Sequence, residues 1–284
     1  MAIEKLSARR RMQERIGERL EDFSSARQRM VERFEDLSIA KLVPSVLTLL
    51  GLFAGATAIR FALMQDWHHA VVAIVVAMVF DMLDGRAARM FGADTRFGAQ
   101  LDSLVDLVSF GVAPAVIVFL WSLNRMGDAG WATALLFCAC SAIRLARFNI
   151  QSAAARDEGA TQANPYFTGL PMPAAAFLAV LPMILSFQVG DDFVRVSGFT
   201  SAIIVLASAL MVSRLPTPSL KYMHLPRKLR VAAFAAFCVF VALLINWPWP
   251  TLSAGFLIYA ASIPAIVVRQ WREDDDEVET VETD

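Results

Sequence analysis

Residues 81–89 read DMLDGRAAR and residues 98–106 read GAQLDSLVD, two polar segments within a strongly apolar chain. Each segment carries two aspartates spaced three or four residues apart, so each pair lies on one face of its segment if that segment is helical. Carboxylates beside lipid are energetically costly and usually serve a function. Four such groups brought together would form a set of hard oxygen ligands suited to Mg²⁺ or Mn²⁺.

The sequence around these segments predicts an all-α fold, a polytopic membrane bundle of helices. Hydrophobic residues make up 57% of the 284 residues, too many for an ordinary soluble domain, and they occur in long blocks. About eight transmembrane helices are predicted, most of them close to the roughly twenty residues that a bilayer requires. Their approximate bounds are 42–63, 68–91, 98–122, 130–150, 170–188, 197–213, 231–248 and 251–268.

The two ends of the chain differ from its apolar centre. Residues 1–41 are rich in Arg and Glu, and their apolar residues recur at roughly helical spacing, which predicts a cytoplasmic amphipathic helix. This arm is interpreted either as a solvated helix or as one that docks on a membrane surface or a partner. Residues 42–270 form the predicted transmembrane domain, and the largely acidic residues 271–284 form a predicted disordered tail.

The distribution of basic residues predicts the orientation in the membrane. Arg and Lys are concentrated in the loops on the side of the N-terminus, for example in residues 214–230. Because cytoplasmic loops carry an excess of basic residues, both termini and the aspartates are predicted to face the cytoplasm at the cell (inner) membrane. His68 and His69 then lie at the outer end of the second span, far from the aspartates, and are interpreted as interfacial residues.

The two polar segments match the pattern D-x2-D-G-x2-A-R-x8-G-x3-D-x3-D at every fixed position. This pattern resembles the signature of the CDP-alcohol phosphotransferase family. The alternative is that the aspartates only cap helices or pair locally at a membrane interface, but a chance match would also have to place both halves at facing helix ends. The fixed positions are Asp81, Asp84, Gly85, Ala88, Arg89, Gly98, Asp102 and Asp106.

The resemblance implies a role for each matched residue. Asp106 is expected to be the general base that takes the proton from the acceptor hydroxyl. Gly85 and Ala88 would leave room for a flat base or ribose, Arg89 would offer a planar fork to phosphate, and Gly98 is expected to bring the third helix close to the second. The implied metal ligands are Asp81, Asp84, Asp102 and Asp106; the implied CDP-binding residues are Thr48, Asp84, Gly85, Ala88, Arg89, Gly98 and Asp102.

Thr48 enters this set through the first predicted span. Residues 44–48 read PSVLT, which is similar to the Pro-Asn-x-x-Thr segment usual in the family, with Ser45 in place of the common Asn. The alternative for Thr48 is a hydroxyl bonded back to its own helix.

Two later segments bear on the acceptor alcohol: SAIRLARFN at residues 141–149 and YFTGLPMPAAA at residues 166–176. They resemble the integral-membrane phosphatidylserine synthases, the branch of the family that uses CDP-diacylglycerol and L-serine. Arg144, Arg147 and Asn149 are therefore candidates for holding the acceptor or a lipid phosphate. The alternative for the two arginines is anchoring at a cytoplasmic helix end, where a cation is favourable.

The resemblance implies transfer of a phosphatidyl group from CDP-diacylglycerol to the hydroxyl of L-serine, giving phosphatidylserine and CMP. It implies Mg²⁺ or Mn²⁺ as cofactor, and as partners the two substrates, membrane lipids and a second copy in a homodimer, with no nucleic acid. One alternative is the same transfer to glycerol phosphate, inositol phosphate or choline. Others are a cation-coupled transporter, since intramembrane aspartates also mark ion pathways, and a catalytically silent scaffold.

Overall fold

The computed structural model describes residues 39–92, 95–157, 166–190, 194–213, 216–218, 227–259 and 261. Within these residues the chain is helical apart from one short β ribbon, so the prediction of a helical membrane protein is confirmed in its main point. The predicted N-terminal arm, up to residue 38, and the predicted acidic tail lie outside the described residues.

Nine α-helices occur in the described part of the chain. A π-helical segment, Leu107–Val112, joins the third helix directly to the fourth, and a 3₁₀ turn, Leu123–Met126, follows the fourth. The helices are α1 (Ile39–Leu63), α2 (Trp67–Phe91), α3 (Arg96–Asp106), α4 (Ala113–Trp121), α5 (Asp128–Asp157), α6 (Met172–Val189), α7 (Ser197–Val212), α8 (Arg227–Asn246) and α9 (248–259).

Four stretches of the described residues are long and apolar enough to cross a membrane: Leu42–Leu63, Phe97–Trp121, Asp128–Ala154 and Met172–Val189. They coincide with the first, third, fourth and fifth predicted spans. Ser197–Val212 is apolar but shorter. The chain is therefore a membrane protein by these helices, and the total of about eight spans stays a prediction.

A tight turn joins α1 and α2 into an antiparallel hairpin. Asp66 caps α2, since its carboxylate accepts a hydrogen bond from the backbone N–H of His69, while Nδ1 of the same histidine lies 2.7 Å from its second oxygen. The hydrogen bond with His69 lowers the pKa of Asp66. At the other end, Gly92 adopts a left-handed conformation with φ of 58° and its N–H bonds to the carbonyl of Ala88, the usual stop for a helix.

Small residues allow α1 and α2 to pack closely. Ala58 and Ala62 of α1 and Ala70, Ala73 and Ala77 of α2 are all buried. Lipid tails are as apolar as these side chains, so burial alone does not drive the helices together in a bilayer. Close van der Waals packing does, and small residues favour it by letting the backbones approach. The hairpin thereby fixes α2, which carries Asp81 and Asp84.

The π-helical segment lies between α1 and α5. A Cβ added at Gly55 of α1 would lie 2.8 Å from the Cα of Ser109, and one added at Gly111 would lie 3.0 Å from the Cβ of Ser141. Both glycines are therefore positions of close approach. Short π-helical insertions often occur at functional sites, and this one begins directly after Asp106.

A two-stranded ribbon connects the loops beside α6 and α7. Strands β1 (Tyr166–Thr168) and β2 (Pro216–Pro218) pair antiparallel, with Phe167 opposite Thr217. Next to it, Gly169 has φ of 81°, and an added Cβ would lie 2.8 Å from the carbonyl oxygen of Met211. The sequence analysis did not predict this ribbon.

Candidate functional site

Three of the four aspartates converge in a cavity that α2 and α3 both line. Carboxylate oxygens of Asp81, Asp102 and Asp106 all lie within 4.8 Å of one another. Two oxygens on the same Mg²⁺ or Mn²⁺ ion are separated by at most about 4–5 Å, twice a metal–oxygen bond. The three carboxylates could therefore hold one divalent ion between them.

Asp84 lies in the same cavity but is not part of this close triad. It is buried, with 5% of its surface exposed, and it comes from the same helix as Asp81, three residues further on. The family resemblance implies all four carboxylates as metal ligands, whereas the structure places three of them within 4.8 Å of one another and the fourth beside them.

The cavity around the aspartates is small. Its atom-free space is about 180 Å³, including the open mouth, or about six times the volume that a water molecule occupies in the liquid. Pockets that enclose small organic ligands are larger, roughly 300–1,000 Å³. The space therefore suits ions, water and phosphoryl oxygens. Its lining residues are Thr48, Gly51, Ala77, Asp81, Asp84, Asp102, Val105, Asp106, Ser109 and Phe110.

The cavity gathers four carboxyl groups that have no salt-bridge partner among the described residues. Among the described side chains, no Lys or Arg forms a salt bridge with any of the four aspartates; Arg144 of α5 interacts with Asp106 electrostatically at longer range. Carboxylates gathered away from water repel one another, and a buried charge is costly unless it is paired or binds a metal. A divalent cation would satisfy this set of ligands, so the donor chemistry fits the expected metal.

Thr48 lines the cavity, and its hydroxyl is engaged within its own helix. Its Oγ1 donates a 2.9 Å hydrogen bond to the carbonyl of Pro44, and only 5% of the residue is exposed. The alternative considered for Thr48, a hydroxyl bonded back to its own helix, is therefore present. A contact with CDP stays a prediction.

The other residues expected to bind CDP lie along the end of α2 and the start of α3. A Cβ added at Gly85 would meet nothing within 4 Å, so packing within the described chain does not require glycine there. Ala88 is half-buried and Arg89 is exposed. This end of α2 therefore has an open side beside Asp84.

The expectation that Gly98 brings α3 close to α2 is wrong. Among the described residues, a Cβ at Gly98 would contact only Oγ1 of Thr95, at 3.1 Å. That hydroxyl caps α3 by accepting a 2.9 Å hydrogen bond from the Gly98 N–H. The small residue at this position therefore gives room to the helix cap.

The three candidate acceptor residues of α5 all point into the protein. Arg144 Nε donates a 2.6 Å hydrogen bond to the carbonyl of Leu170, and Arg147 Nη1 donates a 2.8 Å hydrogen bond to the carbonyl of Val212. Asn149 Oδ1 accepts a 3.0 Å hydrogen bond from Ser103. Arg144 also interacts electrostatically with Asp106, whereas Arg147 is turned toward the C-terminus of α7.

Several residues near the site were not identified from the sequence. Ser109 Oγ donates a 3.3 Å hydrogen bond to the carbonyl of Gly51, and both residues line the cavity. The Gly51-x3-Gly55 spacing is a known signal for close helix packing in membranes and could have indicated this contact. Tyr259 of α9 interacts electrostatically with Arg144, and no local sequence signal marks it.

Comparisons with known proteins agree with this site. The profile of the family CDP-alcohol phosphatidyltransferase matches residues 41–214, which include all four aspartates. A second profile, CDP-alcohol phosphatidyltransferase 2, matches residues 228–264.

Curated relatives are similar over most of the chain. The CDP-diacylglycerol–serine O-phosphatidyltransferase of Mycobacterium leprae is 35% identical over 234 residues, 81% of this chain and 76% of that protein. The protein of the same name from Mycobacterium tuberculosis is 33% identical over 84% of this chain and 82% of its own length. The one from Helicobacter pylori is 35% identical over 77% and 87%, respectively. The chain therefore belongs to the CDP-alcohol phosphatidyltransferase family.

Proposed function

We propose that this chain transfers the phosphatidyl group of CDP-diacylglycerol to the hydroxyl of L-serine, giving phosphatidylserine and CMP. The observation that carries the proposal is the triad of Asp81, Asp102 and Asp106 in a membrane protein of this family. The choice of serine is supported by relatives that bear the name of the serine transferase and align with three quarters or more of this chain.

The triad would hold Mg²⁺ or Mn²⁺, with Asp84 beside it as a further ligand. When bound, the ion would neutralise the diphosphate of the donor and stabilise charge on the phosphoryl oxygens as CMP leaves. The size of the cavity supports this arrangement, because it has room for ions and phosphoryl oxygens but not for the whole nucleotide.

The nucleotide would lie along the open side of α2. The free space at Gly85 would let the base or ribose approach the helix backbone, with Ala88 one turn further along. Arg89 is exposed and can offer its planar guanidinium to a phosphate. Thr48, Asp102 and Gly98 would complete the donor site.

The acceptor would bind between α3 and α5. Arg144 uses Nε to bond Leu170, and among the described residues no hydrogen bond from its two terminal nitrogens is present, so they would be offered to the carboxylate of serine. Asp106, opposite Arg144, would take the proton of the serine hydroxyl as its oxygen bonds to phosphorus. The bond from phosphorus to the CMP oxygen breaks in the same displacement, and its electron pair leaves with CMP.

The membrane arrangement is part of the proposal. Eight spans within residues 42–270 would place the aspartates and both termini on the cytoplasmic side, as the distribution of Arg and Lys indicates. A cytoplasmic arm (1–41), a disordered tail (271–284) and a homodimer remain predictions from the sequence and the family resemblance.

The function is tested by following CMP release from CDP-diacylglycerol by purified protein in detergent with Mn²⁺ or Mg²⁺. L-serine, glycerol phosphate, inositol phosphate and choline are compared as acceptors. We expect release with serine alone and a loss of about 10²–10⁴-fold in Asp106→Asn, the usual contribution of a general base. Release with another acceptor would reject serine, and no release with any acceptor would reject the enzymatic function.

A further inference from the structure

A row of contacts joins α3 and its π-helical extension to α5. Sγ of Cys138 lies 3.8 Å from the carbonyl oxygen of Gly111, and Asp106 interacts with Arg144 further along. Ser103 bonds to Asn149 at the end of the row. Residue numbers fall along α3 as they rise along α5, so the two helices run antiparallel here. Arg144 and Asn149, five residues apart on α5, therefore each interact with a residue of α3.

Ser103 lies beside the metal-binding triad. It directly follows Asp102, and it precedes Asp106 by three residues on the same face of α3. Its Oγ lies 3.0 Å from the carbonyl oxygen of Ala99 and 3.0 Å from Oδ1 of Asn149. A hydroxyl has one proton, so the two acceptors share it, and the bond within α3 holds the hydroxyl in place for Asn149.

This contact fixes which side of the Asn149 amide remains free. Because Oδ1 accepts from Ser103, the –NH₂ group of the amide is turned away from Ser103. Among the described residues, no hydrogen bond from this –NH₂ group is present. Asn149 is half-buried, and its two N–H donors suit a carboxylate acceptor.

We propose that Ser103 is a positioning residue for the acceptor. It holds the amide of Asn149 so that the –NH₂ group donates to the carboxylate of the amino-acid substrate, alongside Arg144. The inference rests on the proposed serine transfer and deepens it, because it places acceptor recognition on the helix that carries Asp102 and Asp106. Ser103 itself touches neither substrate nor the reacting atoms.

The test measures kcat and the KM for each substrate in Ser103→Ala, Ser103→Thr, Asn149→Ala and the double alanine variant. Loss of one neutral hydrogen bond predicts a rise of about three- to tenfold in the KM for L-serine. The KM for CDP-diacylglycerol should stay unchanged, and Ser103→Thr should restore serine binding because it keeps the hydroxyl. Ser103→Ala should add little in the Asn149→Ala background, since the two residues act as one unit.

Ser201→Ala is the matched control. Oγ of Ser201 lies 3.4 Å from Oγ1 of Thr133, near the opposite end of α5, so this variant also removes a hydroxyl that reaches α5 but leaves the site intact. Its KM for serine should equal that of the wild type. A partly unfolded variant would lower kcat without changing KM, which separates a structural defect from lost positioning.

Three results would overturn the inference: an unchanged KM for serine in Ser103→Ala, additive effects in the double variant, or an effect confined to the KM for CDP-diacylglycerol. In each case serine-dependent CMP release by the wild type would leave the proposed function standing. Failure of the proposed function itself would appear as absence of that release in the wild type.

Discussion

The substitution Gly85→Ala is expected to separate nucleotide binding from helix stability. Gly85 lies within α2, next to Asp84, and a Cβ added there would meet no atom within 4 Å. The free protein therefore loses no packing. Alanine in place of glycine inside a helix stabilises it by about 0.8–1.0 kcal/mol, which corresponds to a rise of about 2–4 °C in Tm for a domain of roughly this size.

The same methyl group should impair catalysis. If the nucleotide packs against the backbone at Gly85, the methyl overlaps with it, and overpacking of this kind costs about 1–3 kcal/mol. The predicted loss in kcat/KM for CDP-diacylglycerol is therefore about five- to 150-fold. A variant that is more stable and less active is not explained by misfolding.

The assay pairs thermal unfolding in detergent with the kinetics of CMP release. Gly198→Ala, in the first turn of α7, is the matched control because its added Cβ also meets nothing within 4 Å. It should keep full activity. Unchanged kcat/KM in Gly85→Ala would refute the placement of the nucleotide along this side of α2. A Tm of Gly85→Ala below that of the wild type would refute the open space around Gly85.

Three further predictions concern packing, metal and charge. Gly55→Ala should destabilise the protein by about 1–3 kcal/mol, because its Cβ would lie 2.8 Å from the Cα of Ser109. Gly51→Ala is the control and should unfold near the wild-type temperature, because its Cβ would lie 3.5 Å from the Cβ of Phe80. Equal Tm values for the two variants would contradict the tight packing at Gly55. EDTA should abolish CMP release, and added Mn²⁺ should restore it. Asp81→Asn should bind Mn²⁺ more weakly than the wild type in equilibrium dialysis. Undiminished binding by this variant would exclude Asp81 as a ligand. His69 lowers the pKa of Asp66, so the stability that this charge contributes is present at neutral pH and lost as pH falls through the lowered value. Asp66→Asn, which keeps a capping side chain, should have a Tm below wild type at about pH 7, with the gap closing in acid; a gap that persists would contradict the role of the charge.

The apolar blocks predicted four membrane helices well because length and hydropathy alone decide such segments. Residues 42–63 and 98–122, for example, agree within a residue or so with Leu42–Leu63 and Phe97–Trp121. The sequence could not reveal that the second of these is interrupted by the π-helical segment Leu107–Val112, because that register change depends on contacts with α1 and α5. Nor could it reveal the ribbon, whose strands have three residues each.

The carboxylates were predicted from their spacing, but the sequence did not indicate that only three of them would meet at one point. Spacing places two pairs on helix faces; only the tertiary arrangement of α2 and α3 around the cavity determines that Asp84 lies beside the triad and not within it. Likewise, Arg147 carries the same charge as Arg144. The structure separates them through their carbonyl partners, Val212 and Leu170, which are remote in sequence.

The measurement that tests the central claim most directly is the incorporation of labelled L-serine into lipid. Purified wild-type protein and Asp106→Asn are reconstituted in vesicles containing CDP-diacylglycerol, with and without Mn²⁺. We predict labelled phosphatidylserine in equal amount to the CMP released, only with Mn²⁺, and almost none from Asp106→Asn. Label in lipid without a divalent metal, wild-type activity in Asp106→Asn, or CMP release without labelled lipid would contradict a metal-dependent transfer to serine at this aspartate cluster.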